Sequence, residues 1–198
     1  MLLDAQESQL VLVDYQRKLM PAIHEAEAVL RNGERLARAA ALLGVTVFGT
    51  EENPQSLGEM VEPVRALIPK IVPKMEFSAL SVLAPLLRPV RAASPNARSI
   101  PKHLQKPQQP NTSRNSVVLA GCEAHVCLMQ TALDLLDDEY DVWVVTDACS
   151  SRSERNRDAA FDRLASAGAE LVTTEMVCFE WLRSAEHPRF KDVLTLVK

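Results

Sequence analysis

Apolar residues fall along this chain in two rhythms. QLVLVD (9–14), VTVFGT (45–50), KIVPK (70–74), SVVLAG (116–121), DVWVVTDA (141–148) and AELVT (169–173) are short, nearly continuous apolar runs rich in β-branched residues. Strands buried on both faces read this way. Between the runs the period lengthens. Ala26, Val29, Leu30, Gly33, Leu36, Ala37, Ala40 and Leu43 recur at helical spacing; so do Leu80, Leu83, Ala84 and Leu87, then Met129, Ala132, Leu133 and Leu136, then Phe161, Leu164 and Ala165. Gly44 and Gly168 each stand between a helical pattern and a strand, where helices stop. Strands alternating with helices predict a parallel sheet covered on both faces. The expectation is one three-layer α/β/α domain over residues 1–198 with about six strands. Residues 91–114, rich in Pro, Ser, Asn, Gln and basic residues, carry no sustained apolar period and read as an inserted flexible loop.

Composition narrows the function. A net charge of −4 and an apolar content of 47% suit a globular protein with a full core and argue against a nucleic-acid binder. No apolar run is long enough to span a bilayer, and the first residues lack the basic and apolar regions of a secretory signal. Four cysteines in 198 residues do not make a disulfide framework. The expected setting is a reducing, cytoplasmic compartment without membrane or nucleic-acid partners.

In an open parallel sheet, ligands bind beyond the carboxyl ends of the strands. Asp14, Glu51 with Glu52, Lys74 and the stretch GCEAHVC (121–127) fall there. If a helix begins near Glu123 or Ala124, Cys127 lies in its first turn, where free N–H groups favour a thiolate. Lys74 would lower the thiol pKa further and Asp14 would take the proton, a nucleophile's arrangement. The bland alternative is a core cysteine, with Asp14 capping a turn and Lys74 at the surface. Zinc is disfavoured because Cys122, His125 and Cys127 have no second knuckle. Cys122 and Cys127 are not a C-x-x-C redox pair, and Gly44, Gly49 and Gly58 form no phosphate-cradling loop. Asp147, at the end of the fifth run, is read as structural.

LVLVDYQ with Asp14, VPKMEFSAL with Lys74, and LAGCEAHVCLMQTALDLLDDEYDVWVVTDACSSR with Cys127 together resemble the isochorismatase-like cysteine hydrolases, over roughly residues 8–182. TEENPQSLG (50–58) looks like the isochorismatase-domain subgroup. The resemblance implies a Rossmann-like parallel fold and an Asp14–Lys74–Cys127 triad, with Cys127 attacking an amide-like carbon. It further implies a cis peptide between Cys122 and Glu123, with the N–H groups of Glu123 and Cys127 at the oxyanion. Gln16, Phe77, Glu123, Ala124 and His125 are expected to line the pocket of a small-molecule substrate. The metal-binding histidines of nicotinamidases are missing after the second strand, so neither metal nor cofactor is expected. Relatives of this kind are commonly oligomeric, and the apolar C-terminal stretch FKDVLTLVK suits a homo-oligomer. Three other readings stand beside C–N hydrolysis: a vinyl-ether hydrolase, a catalytically silent partner-binding protein using the 91–114 loop, and a Cys122–Cys127 redox sensor.

Overall fold

A computed structural model describes residues 2–87 and 115–198; the predicted 91–114 loop lies outside the described residues. All six apolar runs are strands: β1 (Ser8–Val13), β2 (Thr46–Glu52), β3 (Lys70–Lys74), β4 (Ser116–Cys122), β5 (Asp141–Ser150) and β6 (Glu170–Val172). They form one wholly parallel sheet in the order β3-β2-β1-β4-β5-β6. Every residue of β1 is buried, because helices cover both faces of the central strands.

The helices are α1 (Ala26–Leu43), α2 (Pro54–Leu57), α3 (Leu80–Leu83), α4 (Met129–Asp137), α5 (Glu154–Ala167), α6 (Thr174–Leu182) and α7 (Phe190–Val197). Helices α1, α6 and α7 pack together, as do α3, α4 and α5, giving a layer on each side of the sheet. Gly44 and Gly168 close α1 and α5 in left-handed conformation. The α3 pattern runs as helix only through Leu83, its last apolar positions falling in turns. Helix α6 buries one face, Val177, Cys178, Trp181 and Leu182, but its exposed face carries Met176 and Phe179, so no clean apolar stripe announces it in the sequence. The C-terminal apolar stretch forms a helix, with its apolar residues other than Val193 only half-buried. It is α7, which folds against α1 and buries Val193 completely.

The strand order places the site. The chain winds from β1 outward to β2 and β3, then returns to the other side of β1 for β4, β5 and β6. The carboxyl ends of β1 and β4 therefore flank the topological switch point, where connections diverge and leave a crevice. Asp14 directly follows β1; Cys122 ends β4. Gly121 makes their close approach feasible. It pairs with Val13, has φ 145°, and a β-carbon there would sit 2.1 Å from the Val13 carbonyl oxygen. Only glycine tolerates both the conformation and the contact.

Gly121→Ala is expected to cost at least about 3 kcal/mol, from backbone strain plus overpacking, and so lower the melting temperature by roughly 6–12 °C. Thermal unfolding followed by circular dichroism checks this.

Candidate active site

Lys74 ends β3 with its side chain wholly buried. Its ammonium lies 2.8 Å from Asp14 Oδ2 and 2.8 Å from Glu52 Oε2. It also donates to the carbonyls of Phe77 (3.1 Å) and Glu76 (3.3 Å), which curl back over it. Burial alone would depress its pKa. The Asp14 and Glu52 carboxylates outweigh that and hold it above the ordinary lysine value. Asp14 adopts a left-handed backbone (φ 52°) just past β1, and its Oδ1 accepts the Thr50 hydroxyl at 2.7 Å. Apart from the ion pair, Oδ2 accepts no hydrogen bond and keeps acceptor capacity to spare.

Cys127 reaches this group from the other side of the switch point. After β4 the chain makes a π-helical turn over Ala124–Leu128 and continues directly into α4. The Cys127 sulfur and the Asp14 and Glu52 carboxylates lie within 4.8 Å of one another. Thr131, one turn on, donates its hydroxyl to the Cys127 carbonyl at 2.7 Å. The Thr131 hydroxyl oxygen in turn accepts the Ala79 N–H at 2.9 Å, tying the cysteine's turn to the segment that follows Lys74. The peptide between Cys122 and Glu123 is cis. Three residues from separate parts of the chain thus meet in a volume a few ångströms across.

The sequence matches the isochorismatase domain family over residues 8–176. It belongs to the isochorismatase-like hydrolase family. It is 36% identical to isochorismatase domain-containing protein 1 of Danio rerio over 93% of this chain, and the chain spans 59% of that relative's length. A Caenorhabditis elegans structure described as MAR1 ribonuclease superimposes with a TM-score of 0.81 at 30% identity, covering 100% of this chain and 92% of its own. The YcaC gene product of Escherichia coli, described as an octameric hydrolase of unknown specificity, shares the fold with a TM-score of 0.76 at 23% identity, over 98% of this chain and 95% of its own.

Two features of this family member differ from what the sequence suggests. The first is the state of the thiol. Burial, then the Asp14 carboxylate facing it, push the Cys127 pKa up to about 12; Lys74 pulls it down and Glu52 adds to the rise. Burial first, and then the two carboxylates, outweigh the lysine. The surroundings favour the thiol over the thiolate. The second is Glu52, which joins Asp14, Lys74 and Cys127 in one cluster. Its place past an apolar run was visible in the sequence, but its partner lies 22 residues away. Neighbouring Glu51 turns elsewhere, accepting from the Met60 N–H and pairing with Arg65.

The expected pocket residues divide. Gln16 is wholly buried, with its amide spent on main chain: Nε2 donates to the carbonyls of Glu52 (2.8 Å) and Gly58 (2.6 Å), and Oε1 accepts the Glu52 N–H at 2.9 Å. It has no exposed surface, and it clamps Glu52. Phe77 is 53% exposed beside the lysine. Ala124 is buried, and Glu123 turns its carboxylate to the N–H and guanidinium of Arg152, both at 3.0 Å. His125 is occupied on both ring nitrogens, by the Ser151 hydroxyl (2.9 Å) and the Asn156 amide (3.3 Å), and so faces the β5–α5 connection instead of the sulfur. Cys122 is fully buried and, like the other three cysteines, free. Asp147 is structural as read: its Oδ1 accepts the N–H and hydroxyl of Thr174 at the start of α6. Among the described residues, Asp14, Glu52 and Cys127 form the one group able to hold a metal ion, and the Lys74 ammonium already touches both of its carboxylates. No helix of the described residues is long and apolar enough to cross a membrane.

Alkylation of Cys127 by iodoacetamide is expected to be slow at neutral pH and to keep climbing past pH 9.0, the ordinary thiol value, because the folded protein holds the proton more tightly. Mass spectrometry of the labelled peptide measures the rate; a plateau near neutrality would mean a preformed thiolate.

Proposed function

We propose that the protein is a metal-independent cysteine hydrolase that cleaves a C–N bond of a small amide-like substrate. The observation that carries this reading is the meeting of the Cys127 thiol with a buried carboxylate that has an unused lone pair, beside a buried ammonium. Asp14 takes the thiol proton as the sulfur attacks the carbonyl carbon, forming a C–S bond and moving the π electrons onto oxygen. The N–H groups of Glu123 and Cys127, at the start of the turn, are the oxyanion donors in this reading; one such donor is typically worth about 3–4 kcal/mol of barrier. Collapse breaks the C–N bond, and the amine leaves with the proton from Asp14. Water, deprotonated by Asp14, then attacks the thioester. Its collapse releases a carboxylic acid and returns the proton to sulfur. A proton held between Asp14 and Cys127 suits this cycle, because Asp14 must act as base and acid in turn.

Lys74 keeps Asp14 oriented and compensates the negative charge that builds as the sulfur attacks. The vinyl-ether reading leaves Cys127 without a task. Ribonuclease action, the description of the C. elegans protein, asks for a polyanion beside two carboxylates on a chain of net charge −4. Both are disfavoured on that ground. The octameric E. coli relative in fold supports a homo-oligomer, and the cytoplasmic setting is kept as part of this reading.

A panel of small amides and ureas, with ammonia or amine release as the readout, is expected to yield a substrate. Cys127→Ala should lose at least about 10⁴-fold in kcat, and Asp14→Asn about 10²–10⁴-fold. Undiminished turnover by Cys127→Ala would remove the proposal.

A further inference from the structure

The described charges around the Cys127 sulfur do not balance. Asp14 and Glu52 share the single Lys74 ammonium, leaving one net negative charge within 4.8 Å of the nucleophile. Among the described residues, two flanking acids are themselves paired. Glu123 is paired with Arg152, and Glu51 with Arg65, so each pair sums to zero. Asp14 and Lys74 are sealed from solvent, whereas the Glu52 side chain keeps 11% of its surface. Glu52 is therefore the member of the group that an entering molecule meets. Its direction is fixed, because Gln16 holds both its N–H and its carbonyl, and Lys74 holds its Oε2.

From this placement we infer that Glu52 determines the charge class of the substrate: the site takes small amides that are uncharged or cationic beside the scissile bond, and rejects those carrying a carboxylate or other anion there. Glu52 also positions Lys74, but positioning alone has no sign preference. A neutral hydrogen-bond acceptor at residue 52 would hold the ammonium and leave the site neutral. A carboxylate instead repels an anion approaching the sulfur, in a crevice where the two are separated by little water. The inference rests on Cys127 being the nucleophile, and it says which ligands reach that nucleophile.

The test is a charge series of thiol reagents: 2-aminoethyl (cationic), methyl (neutral) and 2-sulfonatoethyl (anionic) methanethiosulfonate. In each, the cysteine sulfur forms an S–S bond with the reagent's outer sulfur, methanesulfinate departs with the bonding pair, and the thiol proton passes to base. Rates at Cys127 are read by peptide mass spectrometry at neutral pH and divided by those of N-acetylcysteine methyl ester. The normalised rates should fall from cation to neutral to anion by about fivefold or more per step, the effect of one unit charge at this range even in a well-solvated site. Glu52→Gln, which keeps an acceptor for Lys74, should flatten the series. A flat series in the wild type overturns the inference, as does a Glu52→Gln series as steep as the wild type; the wild-type series decides alone if the variant does not fold. Failure of all three reagents to reach Cys127 would strike instead at the nucleophile itself, which separates the two claims.

Discussion

An ammonium buried between two carboxylates organises this protein's working end. Lys74, Asp14 and Glu52 come from the ends of three adjacent strands, β3, β1 and β2, and no one of them is tolerable alone in that place. A buried charge without a partner costs several kcal/mol, so each of the three requires the others. The consequence is geometric. The strand ends are pinned relative to one another on one side of the switch point, and Cys127 is delivered from the other side by β4 and the turn that follows. Thr131 joins the halves by bonding both the Cys127 carbonyl and the Ala79 N–H. Gly121 lets β4 lie close enough to β1 for the halves to meet.

The same arrangement sets the chemistry. Burial, with two carboxylates around one ammonium, raises the Cys127 pKa and favours the protonated sulfur. A permanently charged thiolate would add a further negative charge to the group. In the proposed cycle, a thiol beside a carboxylate with spare acceptor capacity stores the proton where acyl transfer requires it, and releases it as the sulfur attacks a substrate carbon. On this account Lys74 is the support that allows Asp14 to serve as a buried base, and its direct action on Cys127 is secondary.

Much of this was legible in the chain. Wholly buried parallel strands are continuous apolar runs, and even the short fragment KIVPK proved to be β3. Asp14, Lys74 and Cys127 stood out as reactive residues at strand ends, and the structure brings all three together. What escaped the sequence depended on contacts between distant residues. Helix α6 leaves Met176 and Phe179 exposed opposite its buried face, so apolar residues lie on both sides and blur the helical stripe. FKDVLTLVK looks exposed until α1 is there to receive it. Gln16 and His125 have the right chemistry for a pocket, but main chain in one case and Ser151 with Asn156 in the other consume their polar atoms. Glu52 is distinguished from Glu51 only by which side of β2 each faces, and the thiol's protonation depends on a charge balance no single motif reveals.

The shared ammonium is tested most directly by comparing the stability of Lys74→Met with that of the double variant Lys74→Met, Glu52→Gln in urea unfolding. Lys74→Met should cost about 3–5 kcal/mol by stranding two buried carboxylates, and the added Glu52→Gln should recover at least about 1 kcal/mol of it by removing one stranded charge. A negligible loss in Lys74→Met, or a double variant less stable than the single one, would contradict the account.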